Sequence, residues 1–424
     1  MLCITLSSSA QNAPDLTPQN QTFADTSHQK DLMDVYKKWF KLPPQTKNPH
    51  PENKVFFTLN PLANAPTSSG NALVTSTTAN VYLGPKSTTN LSTANFAPYF
   101  NFNRRFGLPL RSTIWLKDNA WIIQGDIRFL VYPQYTWGLG TSHTDNEKEW
   151  VNYKYIRFYQ AGLKRVSEHL FIGMGYDLDY HFNIGGDSGV NLQQFTGYQY
   201  GLSGNSLSSG LTFNFLYDTR NRHAYPFPGS FLYVIYRVNP GFLGNTNAWQ
   251  SIFVDMRKYI PLNKPSNPDQ QNLLTFWSFL WWNFSNATPY LDLPSTGWDE
   301  YNRSARGFDQ NRYRGKALYY FETEYRRDIT NNGLLGFVVF SLISIRSADR
   351  ELCFNPGIPP AVWDCALNSV KCPIRILLLT THLAGDTGPY SSISAKHFSR
   401  TGLSLSGNLP DEKCIPAKLQ PFFW

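Results

Sequence analysis

Charged residues are scarce in this chain of 424 amino acids, 16% against roughly 25% in an average soluble domain. No stretch supplies the about 20 mostly apolar residues that a membrane-spanning helix needs, and the best candidate, 333–345, is too short. Cysteine is nearly missing from the body of the chain. Only Cys3 precedes residue 350, while Cys353, Cys365, Cys372 and Cys414 crowd the last stretch, so no disulfide framework organises the whole. Enzyme signatures are missing too: there is no Gly-x-Ser-x-Gly elbow, no His-Glu-x-x-His and no phosphate-binding glycine loop, and the eight histidines are scattered. The expectation is therefore no catalytic residue, no metal and no cofactor, with a lipid-hydrolysing barrel as the remaining enzymatic alternative. The formal charge of +8 comes without a Lys/Arg cluster on a nucleic-acid-binding pattern, which argues against nucleic acid as a partner.

What is present is aromatic and polar together. Phe, Tyr and Trp make up 16% of the chain, and from Val55 onward side chains alternate with a period of two. Leu170, Ile172, Met174, Tyr176, Leu178 and Tyr180 share one face, with Phe171, Gly173, Gly175, Asp177 and Asp179 on the other. Ala317, Tyr319, Phe321 and Tyr325 likewise oppose Tyr320, Glu322, Glu324, Arg326 and Asp328. Many of these segments exceed nine residues, about what a tilted strand needs to cross a bilayer. Links alternate between short (117–119, 165–169, 331–333) and long (134–150, 181–208, 286–315), as in barrels with tight turns on one side and long loops on the other. Strands are expected near 55–62, 71–83, 90–102, 107–117, 119–132, 152–165, 169–182, 209–218, 229–238, 249–261, 272–285, 317–329 and 333–345. Asp177 and Asp179 read as charges facing a channel. With no spanning helix, a membrane location requires a closed barrel, because an open edge leaves backbone groups unpaired in lipid.

The ends read differently. Residues 1–10 resemble the last part of a secretory signal peptide. Residues 11–53 read as a periplasmic leader, with Leu32, Val35, Tyr36, Trp39 and Phe40 at helical spacing in a short amphipathic helix. The barrel is expected over 54–347. After Ser347 the alternation stops, and 348–424 read as an out-of-frame tail without strands. Back-translation of 363–399, started one base earlier, permits three more alternating strands ending in Phe. That reading gives sixteen strands in the ancestral protein, an even number as bacterial barrels prefer.

Two segments carry a family resemblance. In YDTRNRHAYPFPGSFLYVIYRV, Asp218 and Arg220 close a strand, and Pro228 directly before Gly229, or Pro226 if the motif's intervening residue is kept, opens the next. In YNRSARGFDQNRYRGKALYYFETEYR, Arg306, Gly307 and Phe308 lie in a long loop, and Glu324-x-Arg326 follows in the next strand. The chain resembles the BamA/TamA-like outer-membrane β-barrel superfamily (bacterial surface antigen barrels) in a short form without POTRA domains. The resemblance covers about 205–345 by motif and the earlier strands by pattern.

It implies a transmembrane antiparallel β-barrel in the Gram-negative outer membrane, in contact with lipids and other envelope proteins. It also implies a relation to machinery that inserts or translocates proteins. By the same resemblance Arg306 belongs to a loop folding back into the lumen, with Glu322, Glu324 and Arg326 as clamp partners. A guanidinium suits that role because its planar fork pairs with carboxylates in two places. The alternative is that Arg306 is one solvated loop arginine beside Arg303, Arg312 and Arg314. A passive diffusion channel is the alternative function.

Overall fold

The computed structural model describes residues 54–347, apart from short gaps that include 221–227, 263–271, 300–303, 305–308 and 330–335, together with 375–378. The expected signal remnant, the leader and most of the tail lie outside the described residues. So do the 331–333 turn and the Arg306-Gly307-Phe308 motif.

The described chain is one antiparallel sheet. Its strands are β1 (Phe56–Thr67), β2 (Gly70–Val81), β3 (Ser92–Phe96), β4 (Tyr99–Asn101), β5 (Arg105–Trp115), β6 (Trp121–Val131), β7 (Gln134–Thr136) and β8 (Glu149–Ser167). They continue as β9 (Leu170–Gly186), β10 (Gly204–Asp218), β11 (Gly229–Asn239), β12 (Trp249–Pro261), β13 (Asn272–Asn283), β14 (Ala317–Asp328), β15 (Gly336–Ser347) and β16 (Arg375–Leu378). Each pairs mainly with its neighbour in sequence. All thirteen expected strands are present. The one expected over 90–102 is split into β3 and β4 at Ala97-Pro98, where proline has no N–H for the ladder.

The tail needs a correction. Residues 348–424 were expected to contain no strand, yet β16 pairs with Phe337–Phe340 of β15. The run Arg-Ile-Leu-Leu, short and apolar, satisfies backbone groups that the β15 edge would otherwise leave open.

The sheet is rolled. Tyr233 of β11 donates to Gln124 of β6 at 2.7 Å, although three strands separate them in the sheet. Arg237 of β11 likewise reaches Tyr159 of β8 at 2.9 Å. Only a sheet curled on itself brings those faces together, so the all-β barrel architecture is as expected.

Its patterning is inverted relative to a soluble protein. Met174 is 57% exposed and Phe213, its ladder partner, 48%, while Asp179 is 1% exposed and Asp255 1%. Apolar side chains face out and charged ones face in, the arrangement of a barrel whose exterior meets hydrocarbon. No described helix is long and apolar enough to cross a membrane.

The two rims differ. One carries tight links: the 3-10 turn Lys117–Asn119 between β5 and β6, in which Asp118 and Asn119 take positive φ, and the two-residue step from Ser167 to Leu170. The opposite rim carries the long links 137–148, 187–203 and 284–316. The second of these holds a short helix, α1 (Leu192–Thr196), whose N-cap Asn191 accepts from the Gln194 N–H.

Candidate functional site: a charged lumen beneath a folded loop

Side chains at alternate positions of β6, β8, β9 and β11 meet inside the barrel. Asp179 accepts from Tyr159 at 2.6 Å, from Tyr155, and from Nη1 of Arg237 at 2.6 Å. Arg237 also donates to the carbonyls of Asp177 and Ser208, each at 3.2 Å, and through Nε to Asn239 at 3.0 Å. Arg157 links this group to a second one: its Nε lies 3.4 Å from Asp179 and its Nη1 3.5 Å from Asp126, which is itself held by Arg128. Such buried charges are tolerable only when paired and hydrogen-bonded on several sides, as these are. They line a cavity of about 190 Å3 walled by Tyr159, Phe253, Trp249, Trp281 and Trp298.

At the long-loop rim the described residues of the link 284–316 bring Leu291, Asp292 and Trp298 into the cavity's lining. The link's two arms pair with each other through Ser295 and Arg314, Thr296 N–H to Tyr313 O (2.9 Å), and Gly315 N–H to Pro294 O (3.0 Å). Tyr290 and Leu293 are fully buried in it, against Tyr153, Tyr155, Tyr198 and Leu202. The other two long links hold it. Tyr290 bonds Thr136 at 2.5 Å and the Gly138 carbonyl at 3.1 Å, and Tyr198 donates to the Thr288 carbonyl at 2.5 Å. Gln310 accepts from Tyr132 at 2.6 Å, and Gln134 accepts from both Trp298 and Asn311.

Two charged side chains fix this loop. Asp292 points into the lumen, where Ser208 donates to it at 2.6 Å and His181 Nδ1 lies 3.7 Å away. Burial, reinforced by the nearby Asp179 charge, pushes the Asp292 carboxyl up to about 7. Arg314, 2% exposed, donates to the carbonyls of Tyr290 (2.6 Å) and Leu293 (3.3 Å) and to Asn311 (2.9 Å). The sequence had grouped Arg314 with solvated loop arginines. Burial corrects that, because the loop's own carbonyls converge on its guanidinium.

The described residues among those singled out in the sequence run from the short-turn end, where Asp218, Arg220, Pro228 and Gly229 lie, to the middle of β14 at Glu322. Asp218 and Arg220 form a bidentate pair (2.8 and 2.7 Å), and Arg220 lies over the Phe231 ring at 4.3 Å. Gly229 is required there: its φ is +139°, and a Cβ would stand 2.6 Å from Arg220 Cα. Pro228 precedes it in the turn, exposed.

Contacts then run across the inner face from strand to strand. Arg257 lies over Phe231 and Trp277, each 5.3 Å away, and Trp277 packs edge-on to Tyr320 at 5.1 Å. Tyr320 donates to Glu322 at 2.5 Å, and Glu324 accepts from Arg326 Nε at 2.7 Å. Asp218, Arg220, Glu322, Glu324 and Arg326 thus share one inward layer. Pairing of Arg306 with either glutamate lies outside the described residues. Arg157, Arg237, Asp292 and Arg314 were missed and have no such local signal, whereas the acid-x-Arg spacing of Asp126/Arg128, Asp218/Arg220, Asp255/Arg257 and Glu324/Arg326 is a repeated pair that the sequence does show.

No family model and no curated protein matches the sequence. Among solved structures, the chain is similar to BamA from Haemophilus ducreyi lacking POTRA domains 1–3. Identity is 15% and the TM-score 0.44, over 69% of this chain and 57% of that one. The chain therefore spans little more than half the length of that protein.

The polar side chains of the lumen are engaged with one another. Ser208 gives its hydroxyl hydrogen bond to Asp292, and the His181 ring is stacked flat on Tyr155 at 4.3 Å. A nucleophile relay needs the hydroxyl on the imidazole instead. Among the described residues no group of His, Cys, Asp and Glu is placed to hold a metal ion.

Proposed function

We propose that this chain is an outer-membrane β-barrel of the protein-inserting or protein-translocating kind, serving outer-membrane assembly or transport. The observation that carries the reading is the inverted sheet, with exposed Met174, Phe213 and Ile172 outside and buried Asp179, Arg237 and Asp255 inside. In this reading the loop 284–316 closes the lumen from the long-loop side, with Arg306-Gly307-Phe308 in its tip and Glu322 and Glu324 as the carboxylates that receive Arg306.

β14 pairs with β15 over twelve residues, and β15 pairs with β16 over four.

The test is to fold the purified full chain into phospholipid vesicles and add a small, urea-unfolded barrel protein. We expect a compact, heat-modifiable gel band for the chain itself and faster insertion of the added protein than into empty vesicles. Steady single-channel conductance without faster insertion would support the diffusion channel instead. Recovery of the chain in the soluble fraction would reject the membrane reading altogether.

A further inference from the structure

Charge is sorted on the outer face of the barrel as well as on the inner one. No carboxylate of a described strand lies on the outward face, since Asp126, Asp179, Asp255, Glu322 and their counterparts all fall on the inward phase of the alternation. The outward face does carry cations. Lys164 of β8, Lys258 of β12 and Arg327 of β14 are exposed, and each lies within a few residues of the short-turn end of its strand. Among the described residues, Lys154 alone holds a comparable position near the long-loop end, against Phe182.

None of these three cations has a carboxylate partner among the described residues, and Lys258 Nζ donates to the Ser230 hydroxyl at 2.8 Å. The sorting belongs to the outward strand faces and not to the rims themselves, where charge is balanced: Lys117 and Arg165 stand beside Asp118 and Glu168 at the short-turn end, and Arg104 and Lys148 beside Glu147 and Asp187 at the long-loop end.

Aromatic rings stand at the same level. Trp121, 42% exposed, is the ladder partner of Lys164, Phe276 is the partner of Lys258, and Tyr217 is 39% exposed at the end of β10. Rings of this kind prefer the membrane–water boundary, and long basic side chains beside them lay their methylenes along the apolar face and extend their charge toward headgroups. An exposed cation on a lipid-facing strand is costly at the bilayer midplane and cheap at the boundary, which suits positions at the strand ends.

We propose that the short-turn rim is a binding surface for anionic phospholipids, whose headgroup phosphates are held by Lys164, Lys258 and Arg327 between Trp121, Tyr217 and Phe276. This rests on the outer-membrane reading. It adds a ligand class and a side: the anionic lipid sits in the leaflet at the short-turn end.

The experiment folds the full chain into vesicles of phosphatidylcholine alone or with phosphatidylglycerol. The readouts are the temperature at which the heat-modifiable band is lost and, in native mass spectrometry, retention of phosphatidylglycerol. Phosphatidylglycerol should raise that temperature at low salt and lose its effect near 1 M salt, where the Debye length is about 3 Å. Lys164→Gln, Lys258→Gln and Arg327→Gln should each weaken lipid retention by about fivefold, the worth of one cation at a charged membrane surface, whereas Lys154→Gln should not. Equal behaviour of the wild type in both lipids, or retention unchanged in all three single variants, overturns the proposal while leaving the barrel reading intact. Failure to insert into either vesicle overturns both.

Discussion

At the scale of single residues, Arg314 and Asp292 decide whether the loop 284–316 stays in place. Arg314→Ala would leave the Leu293 carbonyl without the donor at 3.3 Å and the Tyr290 carbonyl with only the Leu293 N–H at 3.3 Å, at about 1–3 kcal/mol for an unsatisfied buried group. Protease should then cut within 284–316 in the folded barrel, and Arg314→Lys should recover only part of the protection because an ammonium lacks the planar fork. Uncut Arg314→Ala protein would contradict this.

Asp292 predicts a pH dependence. Its folded carboxyl titrates near 7, above the ordinary value of 3.8, so the protonated form is the one the docked loop favours. Its contribution to docking is complete below the ordinary carboxylate range and is lost as pH rises through about 7. The groups facing it are Ser208, His181, Asp179, Arg237 and Arg157. Protease protection of the loop should fall as pH rises from the ordinary carboxylate value of 3.8 to about 7, and Asp292→Asn should flatten that fall. A wild-type profile with no slope there would remove Asp292 as the cause. The motif glycine is a third residue-scale case. Gly229→Ala must take a φ of +139° and meet Arg220 Cα at 2.6 Å, so it should lower the unfolding midpoint in urea more than Pro228→Ala does in the exposed turn.

At the scale of elements, strand identity follows from alternation. Met174 and Phe213 are partners on the outer face, and Asp177 and Asp179 sit between and behind them on the inner one. Met174→Lys should cost about 2–4 kcal/mol if that position lies near the bilayer midplane, whereas Met174→Leu should cost under about 1.5 kcal/mol. Equilibrium unfolding from vesicles measures both, and equal stability of the two variants would contradict a lipid-facing β9. The strand positions were legible in the sequence for the same reason: a period of two needs no distant partner to be recognised. The break at Ala97-Pro98 was less legible, because whether a proline interrupts a strand depends on which backbone groups its neighbours offer. β16 was not legible at all, since an arginine followed by three apolar residues becomes a strand only where an edge is waiting for it.

For the whole molecule, the alternating pattern, the lack of a spanning helix and the sequence of short and long links were enough to specify a two-sided, all-β barrel with a polar interior. Those features are local or nearly so, and each strand repeats them. Glu322, Glu324 and Arg326 could also be assigned to one face together with Tyr320 and Asp328, because face is a matter of parity along one strand. Tertiary structure alone decided which inward charges meet. Asp179 and Arg237 are 58 residues apart in sequence and become partners only when the sheet is rolled. Arg314 reads as a surface residue until the arms of its own loop pair and turn their carbonyls toward it. Parity tells which side of a sheet a residue takes, but only curvature and loop packing determine what it finds there.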